Sequence, residues 1–111
     1  MWLRLEQEGV VSVPDLSFNE DDQLIDDGGI QVVQELMQNQ GLLQVYVVGH
    51  LQGSDDLDNL LQRSRSRAEQ VVARLLDAGV DAQRVEAQGV GPLAPYCRPG
   101  PCTQRIELVR R

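Results

Sequence analysis

Apolar positions along the chain alternate at its start and recur at helical spacing further on. Alternation on both sides of Glu8–Gly9 predicts a hairpin with strands over residues 2–6 and 10–13. A proline ends this pattern. The polar stretch DLSFNEDD that follows is expected to be a connection, with Leu16 and Phe18 turned inward.

Two later segments have the spacing of amphipathic helices. The first is predicted to begin at Asp26 or Asp27, because acidic residues favour the positive end of a helix, and to stop at residues 39–41, Asn-Gln-Gly. The second is predicted to be capped by Ser54 or Asp55 and to close before a glycine.

Three apolar runs complete the pattern. Residues 42–50, LLQVYVVGH, predict a buried central strand, and a further core strand is expected from Arg84. The run QRIELVRR predicts the last strand, with Ile106 and Leu108 facing inward. The order β-β-α-β-α-β-β predicts a two-layer α/β sandwich, with two helices on one face of a mixed sheet.

Composition narrows the function classes. The 111 residues are expected to form one domain, and their net charge of −7 argues against binding to nucleic acids, which requires neutralisation of phosphates. The chain has no lysine, so every side-chain cation apart from His50 is an arginine, the side chain suited to forked recognition of carboxylates. No stretch has the length of a membrane span, and the first residues lack the pattern of a signal peptide. Either the protein is cytosolic, or the chain is part of a longer one.

The two cysteines bracket a short turn. Cys97 and Cys102 flank RPGP, which is neither a redox motif nor half of a zinc site. We expect a small local disulfide, which would indicate an oxidising compartment. Two unpaired thiols are the alternative.

No group of residues predicts catalysis. His50 ends the central strand without an identifiable catalytic partner, and GVG at residues 89–91 does not open a helix. Asp55, Asp56 and Asp58 lack the glycine and the closing glutamate of a calcium loop. We therefore expect neither an enzyme, nor a metal site, nor a cofactor.

One ordered series of short motifs does indicate a family. The sequence contains Gly49-His50, Ser64, Arg67-Ala68, a GVG and Pro95, and then an Arg-Ile-Glu-Leu at residues 105–108. This series resembles the OmpA-like peptidoglycan-associating domain, whose motifs are G-H-T-D, L-S-x-x-R-A, G-x-G-x-x-x-P and N-R-R-V-E-I. The resemblance covers nearly the whole chain, and this chain is a divergent example.

The resemblance implies binding to the diaminopimelate stem of peptidoglycan, which carries carboxylates and an ammonium group. It makes Arg67 the carboxylate-binding arginine, at the rim of a pocket between residues 49–55 and the second helix, with Arg105 nearby. Gln52 stands where the family has its ammonium-binding aspartate. A glutamine supplies no charge, so we expect weakened or altered binding, for which Asp55 or Asp56 of the same loop can compensate.

The sequence therefore predicts a peptidoglycan-binding domain in the periplasm. Outer-membrane association would come from other parts of a longer chain, and other envelope proteins are further candidate partners. The alternative is a degenerate OmpA-like module that no longer binds peptidoglycan and serves protein–protein association. Arg63 and Arg65 are expected to be solvated helix surface. The candidate ligand-binding residues are Arg67, Arg105, Gln52, His50, Ser64 and Asp55.

Overall fold

A four-stranded mixed sheet forms the centre of the computed structural model, which describes residues 1–93 and 104–111. Its strands are β1 Val10–Ser12, β4 Val45–Leu51, β5 Val85–Gly91 and β6 Gln104–Arg110. Their order in the sheet is β1-β6-β4-β5, with β4 parallel to β5 and antiparallel to β6, which also pairs antiparallel with β1. β4 is therefore one of the two inner strands, as the apolar run predicts.

Two amphipathic helices, α2 (Gly28–Asn39) and α3 (Leu57–Asp77), bury their apolar faces in one core with this sheet. The predicted α/β sandwich is thus confirmed. The cap of α3 is Asp56 rather than the predicted Ser54 or Asp55: its carboxylate accepts the backbone N–H of Asn59 at 2.8 Å. A short 3-10 helix, Ala82–Arg84, leads into β5.

The first residues are helical, so the predicted strand over residues 2–6 was wrong. Helix α1 spans Trp2–Glu8 and ends at Gly9, whose φ of 76° breaks the helix. Leu5 is fully buried while Leu3 is 65% exposed, so the apolar residues lie on different sides of a helix. A short apolar alternation fits either structure, and helical packing of Leu5 against the core decides between them.

The segment predicted to be a polar connection is instead a β-hairpin, separate from the main sheet. Its strands are β2 (Leu16–Phe18) and β3 (Leu24–Asp27). Leu16 and Phe18 pack partly buried against the core, as expected. We call residues 16–27 the β2–β3 hairpin.

Helix α3 lies unusually close to the sheet because two glycines face it. A Cβ at Gly49 of β4 would collide with the backbone carbonyl of Ser64, and one at Gly89 of β5 would collide with the backbone of Arg65. Glycine at both positions permits this approach, which gives a structural reason for two of the motif glycines.

Among the described residues, no helix combines the length and apolar character needed to cross a membrane. The segment that holds Cys97 and Cys102 lies outside the described residues, so their disulfide stays a prediction.

Candidate functional site

Four polar side chains along α3 face the β2–β3 hairpin. They are Arg63, Arg67, Gln70 and Arg74, at the i, i+4, i+7 and i+11 spacing that places residues on one side of a helix. Each donates at least one hydrogen bond to the hairpin. This row joins the hairpin to the domain mainly through polar contacts.

The centre of this row is an ion-pair cluster around Asp22. Arg67 donates from Nε at 2.8 Å, and its Nη2 lies 2.6 Å from the same oxygen, Oδ1 of Asp22. Arg63 donates from Nε to Oδ2 at 2.7 Å and from Nη2 to Oδ1 at 3.1 Å, a forked geometry. Arg63 also lies 3.6 Å from a carboxylate oxygen of Asp55. We call Asp22, Asp55, Arg63 and Arg67 the Asp22 cluster.

The two arginines lower the pKa of Asp22. Burial raises the pKa of this carboxyl, but hydrogen bonds and charge attraction from Arg63 and Arg67 outweigh burial and hold the pKa below its ordinary value. The hydrogen bond to Asp22 in turn raises the pKa of Arg63. Both shifts favour the charged forms of Asp22 and Arg63.

Arg67 is buried. Only 3% of the residue is exposed, and its guanidinium carbon lies 4.8 Å from the centre of the Phe18 ring. The predicted rim position was wrong: the side chain lies beneath the turn of the β2–β3 hairpin. Its guanidinium nevertheless binds a carboxylate, which is the chemistry that the resemblance implies for this position.

The turn that carries Asp22 is defined by its own hydrogen bonds. The side-chain oxygen of Asn19 accepts the N–H groups of Asp21 and Gln23, both at 2.9 Å. Asp22 itself adopts a left-handed conformation with φ of 62°. Gln70 of α3 accepts the Leu24 N–H at 2.9 Å and donates to the Asp22 carbonyl oxygen.

A second polar group lies where β4 and β6 pair. His50 and Arg105 are partners in the strand register, and both lie beside Glu107. Nε2 of His50 is 2.6 Å from Oε1 of Glu107, and Nη2 of Arg105 is 3.1 Å from the same oxygen. Burial raises the pKa of Glu107, but His50 and Arg105 together hold it below its ordinary value.

Ser64 has a packing position in the structure. It is fully buried, and its hydroxyl donates to the Leu61 carbonyl at 2.9 Å and accepts the Gly91 N–H at 2.9 Å. This pair of bonds joins α3 to the end of β5. A ligand-binding role for Ser64 stays a prediction.

Gln52 and Asp55 lie on the exposed segment between β4 and α3. Asp55 accepts from the Asn59 side chain at 3.1 Å and contacts Arg63, so it joins the Asp22 cluster. The structure thus brings four of the six predicted residues into two groups, and Gln52 and Ser64 belong to neither. Arg67 and Asp55 meet through Arg63, and His50 and Arg105 meet through Glu107.

Two sequence expectations for the arginines had different outcomes. The expectation that Arg63 is solvated surface was wrong, because Arg63 forks Asp22. The same expectation for Arg65 is confirmed, since Arg65 is exposed and pairs with Glu69 four residues later. Asp22 and Gln70 were missed. Their only sequence signal is the acidic run at residues 20–22 in a chain with arginines at helical i, i+4 spacing.

Within residues 1–93 and 104–111, no group of three or more acidic, histidine or cysteine side chains is arranged to hold a metal ion.

Comparison with known proteins places this geometry in a common fold. No family model matches the sequence. Over 51 residues the chain is 37% identical to Probable lipoprotein YiaD of Escherichia coli strain K12, a match that covers 46% of this chain and 23% of that protein. The match spans less than a quarter of that relative's length.

Solved structures resemble nearly the whole chain. The peptidoglycan-associated lipoprotein from Burkholderia pseudomallei has a TM-score of 0.67 and 19% identity, over 95% of this chain and 92% of that one. The OmpA-like domain of FopA1 from Francisella tularensis has a TM-score of 0.65 and 18% identity, over 94% and 84%. An outer membrane protein from Borrelia burgdorferi has a TM-score of 0.71 and 14% identity, over 90% and 84%. The resemblance to OmpA-like domains is confirmed at the level of the fold.

Proposed function

Starting from an OmpA-like fold, we propose that this chain is a binding domain that associates non-covalently with peptidoglycan in the bacterial cell envelope. A structural neighbour over 95% of the chain is a peptidoglycan-associated lipoprotein, and the residues named above are proposed to bind rather than to catalyse. We place the domain in the periplasm on the same basis.

The observation that carries this proposal is the engagement of Arg67. Its guanidinium directs two N–H groups at one carboxylate oxygen and lies against an aromatic ring. Planar guanidinium groups held in this way recognise carboxylates with defined geometry. A peptidoglycan stem peptide offers carboxylates, so the chemistry of the Asp22 cluster matches that ligand.

Gln52 determines how strong the association is. The ammonium group of a diaminopimelate stem would meet a neutral amide at this exposed position instead of a carboxylate. A charge-assisted hydrogen bond contributes about 1.5–3 kcal/mol, so its absence weakens binding about ten- to a hundredfold. We propose that the domain binds such stems weakly, with Asp55 supplying part of the missing charge.

Sedimentation with purified diaminopimelate-type peptidoglycan tests the proposal. Gln52→Asp should tighten binding at least about tenfold, because an exposed carboxylate near the stem restores the counter-charge for the ammonium group. Gln83→Asp is the matched control, since it adds the same charge at an exposed position beside the start of β5, at the other end of the sheet. Its binding should equal that of the unaltered protein.

If neither the unaltered protein nor Gln52→Asp sediments with peptidoglycan, the binding proposal is wrong. The alternative, an OmpA-like module for protein association, then becomes the better explanation.

A further inference from the structure

We infer that Asp22 is a resident carboxylate that occupies the anion site of Arg63 and Arg67, so that a ligand carboxylate binds there only when the hairpin turn moves away. This inference rests on the proposed function and deepens it. It assigns the β2–β3 hairpin a regulatory role at the same site.

Both carboxylate oxygens of Asp22 are already bound by the arginines. Asp22 therefore competes with a ligand carboxylate for Arg63 and Arg67 and does not help to bind the ligand. Oδ1 lies within 3.1 Å of three guanidinium nitrogens, and Oδ2 accepts from a fourth at 2.7 Å. With Asp55 included, the Asp22 cluster has two positive and two negative groups, and both oxygens of Asp22 are already bound by guanidinium nitrogens rather than open to an ammonium group. Asp22 is therefore unsuited to replace the aspartate that Gln52 lacks.

The hairpin turn is attached in a way that permits displacement. Glu20, Asp21 and Gln23 are exposed, and Ile25 of β3 is 66% exposed. Leu24 is the buried apolar contact of this strand. Because few apolar contacts cover the turn, local opening requires mainly the exchange of polar partners.

When a ligand carboxylate replaces Asp22, the two arginines keep an ion pair with a carboxylate. A ligand carboxylate would take the hydrogen bonds that Asp22 releases, and Asp22 would become solvated. The apparent affinity for the ligand then falls by the fraction of molecules in which the turn is open. Any change that weakens the hold on the turn should raise the affinity.

Two variants test this prediction by calorimetry with a soluble diaminopimelate-containing stem fragment. Asp22→Asn removes the competing charge, and asparagine tolerates the left-handed backbone at this position. Gln70→Ala removes the two hydrogen bonds that hold the turn without altering either arginine. We expect about tenfold tighter binding or more for Asp22→Asn, and a smaller increase for Gln70→Ala. Asp21→Asn, which removes an exposed neighbouring charge, is the control and should bind like the unaltered protein.

Hydrogen exchange supplies an independent readout. The Leu24 N–H is bonded to Gln70, so ligand binding should reduce its protection if the turn opens. Unchanged protection on saturation with ligand would overturn the inference. Equal or weaker fragment binding by Asp22→Asn would also overturn it.

Acetate separates the inference from the proposed function, because it is a carboxylate without other peptidoglycan features. Tighter acetate binding by Asp22→Asn, together with no binding of the stem fragment by any variant, would retain the resident carboxylate and reject the proposed ligand. If the unaltered protein and Asp22→Asn bind acetate with equal affinity, Asp22 does not occupy the anion site. This conclusion would hold even if the domain sediments together with peptidoglycan.

Discussion

The two sides of helix α3 hold their neighbours by different physical means. Toward the sheet, α3 buries Ala68 and Val71 completely and approaches the strands through glycine. Toward the β2–β3 hairpin, it presents Arg63, Arg67 and other polar groups that bind a carboxylate. The first contact depends on shape and tolerates no added atom, whereas the second depends on charge and can exchange partners.

The difference has a functional consequence. Close-packed contacts have one arrangement, so the sheet side provides a rigid support for the arginines. An ion pair has an alternative, because another carboxylate can replace Asp22. The hairpin side is therefore the part of the domain where ligand binding and local opening can be coupled.

The largest expected effect is a loss of unfolding free energy from a substitution where α3 packs against the sheet. Gly49→Ala places a Cβ against the backbone carbonyl of Ser64, which cannot rotate away as a side chain can. Overpacking costs about 1–3 kcal/mol in typical cores and more where backbone must shift, so we expect a loss of about 3 kcal/mol or more in unfolding free energy. Urea denaturation measures it.

Gly41→Ala is the matched control for this prediction. A Cβ at Gly41 meets no atom within 4 Å, so the unfolding free energy should change by no more than about 0.5 kcal/mol. Similar losses at the two glycines would show that the close approach of α3 to β4 does not limit stability.

A smaller loss of unfolding free energy is expected from breaking the hydrogen bond between Ser64 of α3 and Gly91 of β5. Ser64→Ala leaves the buried Gly91 N–H without its acceptor, which costs about 1–3 kcal/mol. Ser66→Ala removes a hydroxyl from an exposed position of the same helix and should cost less than about 0.5 kcal/mol. Chemical denaturation of both variants checks this, and equal stabilities would contradict a packing role for Ser64.

Sequence reasoning was accurate where patterns are local or repeat. The central strand and the two amphipathic helices follow from the runs around Val45 and from the spacing of residues such as Val71 and Leu75. Ordered motifs located the OmpA-like fold, and the structure supplies a reason for the motif glycine at Gly49.

It failed where the deciding contact joins distant residues. Asp22 and Arg67 are separated by 45 positions, and nothing adjacent to either predicts the other. The same holds for Gln70, which bonds a backbone N–H 46 positions away. Helix α1 was missed for a related reason, because packing of Leu5 against the core overrides a local pattern that suits a strand.

The smallest expected effect is the pH dependence of the stability that Asp22 contributes through its contacts with Arg63 and Arg67. The folded-state pKa of Asp22 is lowered by its two arginines, so the charged carboxylate stabilises the fold at neutral pH. This contribution is complete above the ordinary carboxyl pKa of about 4 and is lost as the pH falls through the lower folded-state value. Glu107 contributes in the same direction.

Asp22→Asn distinguishes the contributions of these two carboxyl groups to the pH dependence of stability, because the asparagine does not titrate while Glu107 is retained. Between pH 7 and pH 3, the unaltered protein should lose more unfolding free energy than the variant, so that the gap between them narrows with acidification. The effect is small because only one charge changes while the packed atoms keep their places. Thermal unfolding across this range measures it. Parallel pH profiles would show that Asp22 does not couple to folding, and the contrast between the two sides of α3 would then rest on packing alone.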